Sequence, residues 1–304
     1  MSSPSRMPAI SLAAIPGRRK VTIDLARQIE ARGFSGIYCP SLGDGLALCE
    51  AIALETESIQ FGTSIVNLYS RHVTEFAQTA SFIHEVSGGR FLFGVGVSHG
   101  PSHERLGVSV GKPLEDIRNF VEELRAVPRA GELPPIVLAT LRDRMIGVAG
   151  EISNGMVFAN GSRSHMAHSL SVLPAAARND EAFFIGNMIP TCIHDDEAAA
   201  ATVNRRTLTG YAQLPNYRNY WKAAGYVEEM EGVEQAIADG QPERIPECLS
   251  DRWLADCTLF GSAAKVRDGV ERWFSSGIRT PILVPSSAVG NQLKAFEELF
   301  EAFS

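Results

Sequence analysis

A (β/α)8 barrel, an α/β fold with a helical insertion between its seventh and eighth strands, is the architecture that this 304-residue sequence predicts. Three observations predict it. Short apolar runs rich in Ile, Val and Phe alternate with helical patterns along the chain, the cadence of βαβ units on a parallel sheet. Eight such runs can be counted, one for each strand of a TIM barrel. The rival, a Rossmann-like domain with a second helical one, needs Gly-x-Gly-x-x-Gly running into a helix, and here Gly94 and Gly96 are followed by His99 where the third glycine belongs.

The predicted strands start near residues 9, 36, 59, 90, 135, 155, 182 and 280. "PAISLAAI" is the first, and the helical pattern "VTIDLARQIEARGF" after it stops at Gly33, a residue suited to the left-handed turn of a C-cap. "GIYCP" is the second strand, "ALCEAIALETES" the helix behind it and "IQFGTSIV" the third strand. The helix "TEFAQTASFIHEVSGG" ends at Gly88 and Gly89, and "RFLFGVGV" follows as the fourth strand. "PLEDIRNFVEELRAV" leads to "PPIVLAT", and "RDRMIGVAGEIS" leads to "GMVFAN". "AFFIGNMIPTCI" and "TPILVPS" complete the set. About ninety residues separate these last two, among them the aromatic-rich "YAQLPNYRNYWKAAGYVEEMEGVEQAI", too long for an ordinary crossover. Residues 205–260 are therefore expected to form a lid at the C-terminal rim, within one domain spanning 1–304.

Composition narrows the function. With 45% hydrophobic and 21% charged residues the chain has material for a large core. A net charge of -7, with no basic run beyond Arg18-Arg19-Lys20, argues against a nucleic-acid partner. No apolar stretch reaches the roughly 20 residues of a membrane span, and the N-terminus lacks a signal-peptide core, so a cytoplasmic location is expected. Five scattered cysteines, never spaced C-x-x-C, read as buried free thiols.

Barrel chemistry is carried at the C-terminal ends of strands. There the sequence places Pro40-Ser41, then Ser64-Ile65-Val66-Asn67, then Gly96-Val97-Ser98-His99, then Ala139-Thr140, then Ala159-Asn160-Gly161. No carboxylate pair, metal set or nucleophile with its base stands among them, which speaks against a hydrolase. His99, His103 and Glu104 cluster in "SHGPSHE" without a metal-site spacing.

In the order and spacing of "IQFGTSIVNLYSRH", "VSGGRFLFGVGVSHG", "PPIVLATLRDRMIGVAGEISNGMVFAN", "LPNYRNYWKAAGY" and "FGSAAKVRDGVERWFSSGIRTPILVP", the chain resembles the bacterial luciferase-like monooxygenases, in particular their coenzyme F420-dependent branch. The resemblance implies an oxidoreductase that passes hydride between coenzyme F420 and a small organic substrate. The alternatives are an FMN-dependent monooxygenase supplied by a separate flavin reductase, and a flavin-binding barrel without catalysis. It implies a homodimer as well.

The same resemblance assigns residues. Ser64-Ile65 falls on the family's bulge with a non-prolyl cis peptide that props the flavin-type ring from behind. Asn67 would bond the pyrimidine edge, while Arg71 serves either the cofactor or an ion pair and His72 faces pocket or solvent. Gly94 and Gly96 would leave room for the ring, or else for neighbouring backbone. Ser41, Ala139, Thr140, Ala159 and Asn160 complete the ring site. Amides of Arg144 and Met145 would bind phosphate, with Gly161, Ser162 and Arg163 finishing the cradle, and Arg142, Arg144 and Arg163 could meet an anionic tail. The family's Asp-His after the second strand is replaced by Ser41-Leu42, so that base is missing. Where relatives carry a glutamate after the fourth strand stands His99, the candidate acid or base.

Overall fold

The computed structural model describes residues 6–304. The fold is a (β/α)8 barrel. Two compact units make up the chain: one holds everything up to Phe158 with Ser171–Gly186, the other Ala159–Leu170 with Asn187–Ser304.

In the first unit, β1 (Ala9–Ser11), β2 (Ile37–Cys39), β3 (Phe61–Thr63), β4 (Val66–Asn67), β5 (Phe91–Gly96), β6 (Ile136–Ala139) and β7 (Gly155–Ala159) begin or lie in chain order, all parallel. β3 and β4 are two halves of the third predicted strand, and both pair with β5. β8 (Phe184–Ile193) starts in this unit and runs into the second, where β9 (Leu259–Gly261) pairs with it and β10 (Thr280–Ser286) follows. The eight predicted starts are thus observed within two residues, and β9 is a further strand that no apolar run announced.

Strands buried on both faces read as continuous apolar runs. β5, "FLFGVG", is buried at all six positions. Phe61 and Phe91 stand with ring centroids 5.6 Å apart, and Phe93 meets Phe76 of the helix Val73–Val86 at 5.8 Å. Helix ends follow local chemistry: Asp44 caps the helix Gly45–Glu55 by accepting from the Ala47 amide at 3.2 Å, and Gly33, Gly88 and Gly89 take positive φ beyond the helices they end.

The N-terminal ends of these strands are tied by two charges. The Arg90 guanidinium donates from Nε to the Ser87 carbonyl (2.8 Å), from Nη1 to Thr56 Oγ1 (2.9 Å) and the Ile59 carbonyl (3.0 Å), and from Nη2 to the carbonyls of Ala53 (3.0 Å) and Thr56 (2.8 Å). It also lies 5.3 Å over the Phe61 ring. One side chain so closes the C-terminal turns of two helices, a task for a planar fork and not for a point charge. Glu30 accepts from the amides of Glu57, Ser58 and Ile59, and these bonds outweigh its burial and hold its carboxyl below the ordinary value.

In the second unit large aromatics do the packing. Trp221 and Trp253 meet edge to face at 4.8 Å, and Tyr217 lies 5.4 Å from Trp221. They belong to the helices Pro215–Ala223 and Asp251–Cys257, inside the stretch 205–260 that the sequence marks as an insertion. All five cysteines are free, four of them buried. Among the described residues no helix is long and apolar enough to cross a membrane.

Candidate active site

The C-terminal ends of β3 to β6 come together in the first unit through strand register. Gly62 pairs with Leu92 and Val66 with Val95, so Thr63, Ser64 and Ile65 face only Phe93 and Gly94: the third strand carries one extra residue, a bulge. The peptide between Ser64 and Ile65 is cis, at the position the resemblance indicates. Thr63 replaces the broken ladder with its hydroxyl, which donates to the Gly94 carbonyl (2.7 Å) and accepts from the Gly94 amide (2.9 Å). The Ser64 amide keeps its bond to the Cys39 carbonyl of β2 at 2.7 Å.

This bulge corrects the reading of the glycines. A Cβ on Gly94 would stand 1.8 Å from the Thr63 carbonyl oxygen, and one on Gly96 would stand 2.6 Å from Ala139 Cβ and 3.3 Å from Ile65 Cδ1. The space each glycine opens on its Cβ side is filled by neighbouring strands and not held for a ring. Gly96 and Ala139 are the small pair that lets β5 and β6 approach beside Ile65.

Asn67 has partners within the chain. Its Oδ1 accepts from the Tyr69 amide at 3.0 Å, capping the 3-10 turn Leu68–Ser70, and its Nδ2 faces Ser102 Oγ at 3.4 Å. Arg71 takes the structural alternative, pairing with Asp44 at 2.5 Å. His72 is exposed and caps the helix Val73–Val86 through Nδ1. Ser41 is exposed, and Leu42, in the place of the family's base, is 68% exposed with no group to titrate.

Two buried hydroxyls at these strand ends are left over. Ser64 Oγ after β3 and Thr140 Oγ1 after β6 have no hydrogen-bond partner, although both residues are buried. Buried polar atoms are nearly always paired, so each keeps bonding capacity that a bound group or an ordered water would take up.

His99 follows β5 after Ser98, which holds φ 58°. Its pKa is lowered, first by burial and then by the neighbouring charge of His103, so the imidazole is neutral at pH 7. His103 Nε2 lies 2.6 Å from the Val97 carbonyl, a contact only an N–H can make, which fixes the tautomer and ties the turn bearing His99. Tyr69 packs edge-on to His103 at 5.2 Å, and its hydroxyl is bound by Asp116, which also accepts from the Gly111 amide at 2.9 Å.

The helix Asp143–Ile152 begins directly after β6 and Thr140. Of the two amides expected to bind phosphate there, that of Met145 donates to the Arg142 carbonyl at 3.0 Å and closes the helix's first turn. Arg144, at the second helical position, retains the outward amide of a helix start.

In the second unit the expected cradle is also closed from within. The Gly161 amide donates to Asn187 Oδ1 (3.2 Å), the Ser162 amide to the Tyr220 hydroxyl (2.9 Å), and Arg163 faces Asp256 at 3.8 Å. Ala159 ends β7, and Asn160 is buried at φ 58° with its carbonyl accepting from Trp221 Nε1 at 3.2 Å. Asn187 was not among the expected residues. It is wholly buried in mid-β8, and its Nδ2 has no partner. A search confined to strand ends passes over it.

The sequence profile described as luciferase-like monooxygenase matches residues 8–280. Among proteins, one from Mycobacterium tuberculosis named as a coenzyme F420-dependent oxidoreductase is 24% identical over 281 residues, covering 77% of this chain and 81% of its own length. Among solved structures, the coenzyme F420 dependent tetrahydromethanopterin reductase from Methanopyrus kandleri superposes with a TM-score of 0.75 at 16% identity, covering 97% of this chain and 98% of that one. An F420-dependent secondary alcohol dehydrogenase, in complex with an F420-acetone adduct, gives 0.72 at 12% identity over the same shares.

Proposed function

The chain belongs to the luciferase-like monooxygenase family, a family of enzymes, and from that premise we propose that it is an F420-linked oxidoreductase acting on a small organic substrate. The observation that carries this reading is the pair of unpartnered buried hydroxyls, Ser64 Oγ and Thr140 Oγ1, flanking the Gly96–Ala139 convergence. They would hold polar edges of the deazaflavin, with the outward amide of Arg144 available to an anionic group. Bound F420 supplies a two-electron hydride donor or acceptor that does not activate oxygen.

The chain's own residues orient the substrate and handle its proton. His99, neutral at pH 7 and held by the turn that His103 ties, would accept a proton from a substrate hydroxyl during oxidation; for reduction it would first take a proton from solvent and then pass it to the substrate oxygen as the imidazolium. The base that relatives carry after the second strand is absent at Ser41-Leu42, so orientation of the acceptor would carry much of the rate, as in a reductase. The packed helices Gly45–Glu55 and Val73–Val86 expose Leu54, Phe82 and Val86, a surface suited to a homodimer.

Titration of the purified protein with F420 and with FMN, each oxidised and reduced, tests the assignment by absorbance and fluorescence. The expected result is F420 binding, and loss of turnover but not of binding in His99→Ala. Binding of reduced FMN alone, with oxygen consumption once a reductase is added, would replace the proposal with the monooxygenase reading that the family description favours. Tight binding of either cofactor without turnover on a panel of acceptors would leave a binding protein.

A further inference from the structure

In the first unit, His99 opens a segment that runs from the end of β5 to the helix Pro113–Ala126 and contains a short helix, Gly100–Leu106, with no buried residue. A helix of seven residues without an apolar face has neither the length nor the packing to hold itself in place. Polar ties must hold it.

Those ties converge on Tyr69. Its amide donates to Asn67 Oδ1 at 3.0 Å, so the ring is fixed by the turn that leaves the bulged third strand, and the same Asn67 reaches Ser102 Oγ of the short helix with Nδ2 at 3.4 Å. The ring stands edge-on to His103 at 5.2 Å and backs the imidazole whose Nε2 donates to the Val97 carbonyl. Its hydroxyl donates to Asp116, which also accepts from the Gly111 amide at 2.9 Å near the far end of the segment. Gly111 has to be a glycine for this: a Cβ there would stand 2.5 Å from Asp116 Oδ1. Burial and the Asp116 carboxylate both raise the pKa of the Tyr69 phenol, so the donor keeps its proton.

We propose that Tyr69 and Asp116 are positioning residues for His99: Tyr69 backs His103, Asp116 clamps that phenol together with the Gly111 amide, and the segment 98–111 is thereby held against the third strand. Neither residue exchanges a proton with substrate. The effect on turnover rests on the role given to His99 above, whereas the holding of the segment does not.

Three variants of the full chain test this. Tyr69→Phe keeps the ring against His103 and deletes the O–H donor, Asp116→Ala deletes the acceptor of both donors, and Asp116→Asn keeps one acceptor oxygen. Arg105 is exposed in the short helix, so tryptic cleavage after it, identified by fragment mass, reports opening of the segment in the native protein. Cleavage is expected to be about tenfold faster in Tyr69→Phe and Asp116→Ala, no faster in the double variant than in Asp116→Ala, and partly restored in Asp116→Asn. In an NMR titration the imidazole of His99, identified by its loss in His99→Gln, should show a pKa rising toward the ordinary value of about 6.5 as water reaches it. His103, whose charge also lowers that pKa, is retained in every variant. Turnover should lose about tenfold in kcat with KM nearly unchanged, and melting curves verify that each variant is folded at the assay temperature. Unchanged cleavage in Tyr69→Phe and Asp116→Ala would overturn the proposal, as would faster cleavage with the His99 titration unmoved. A parent chain that turns over no acceptor defeats the hydride-transfer reading instead, and cleavage and titration still decide the holding role.

Discussion

The two ends of the strands in the first unit are finished in opposite ways. At the N-terminal ends, Arg90 engages five oxygen acceptors and Glu30 gathers three consecutive amides, so these carbonyls, this hydroxyl and these amides are matched within the chain. At the C-terminal ends, Ser64 and Thr140 keep hydroxyls without partners, Ser98 sits at positive φ, and burial pushes His99 further toward its neutral form. The difference separates stability from chemistry along one set of strands. The saturated end holds the fold, and the unsaturated end leaves bonding capacity for something else.

Between the ends lies the bulge, and its disruption should have the largest effect. Gly94→Ala drives a methyl group into the Thr63 carbonyl and is expected to cost about 4 kcal/mol or more, read by urea unfolding. Both ends would fail together, and a well-folded Gly94→Ala protein would show that the strands do not approach as described. Next comes Arg90→Ala, expected to destabilise by about 3 kcal/mol through five lost bonds and the carbonyls they leave bare. Arg90→Lys should recover less than half of that, with cofactor affinity measured at low denaturant unchanged in both. Loss of affinity without loss of stability would erase the distinction between the ends.

Substitution at the other end should invert the pattern. Ser64→Ala and Thr140→Val remove unpartnered hydroxyls, so stability is expected to stay within about 1 kcal/mol of the parent or to rise. Cofactor affinity, followed by fluorescence, should fall about tenfold in each. The smallest effect concerns pH. Because the folded chain lowers the pKa of His99, the unfolded chain binds that proton first as pH falls through about 6.5, and stability declines below that value. His99→Gln should flatten this part of the stability profile in denaturant melts collected across pH.

The strand cadence was legible because parallel strands buried on both faces are apolar at every position, as in "FLFGVG". β9 was not, since "LFG" is too short to show any period and is specified by its pairing with Thr191–Ile193. At the site, strand-end residues could be named from order alone, and the cis peptide followed from the resemblance. What each residue touches could not be read. The filling of the space beside Gly94 and Gly96 depends on a one-residue offset between β3 and β5, and the closing of the Gly161 and Ser162 amides depends on Asn187 and Tyr220, far along the chain.

Thr63 has one more implication. Its single oxygen serves both main-chain groups of Gly94, so the gap where the third strand swerves is bridged by a hydroxyl that can be deleted without changing side-chain shape. Valine would fill the same volume and leave the amide and the carbonyl of Gly94 both without this partner. The aperture at this corner of the barrel is therefore gauged by one C–O bond, and threonine or serine is the vocabulary to which the position is confined.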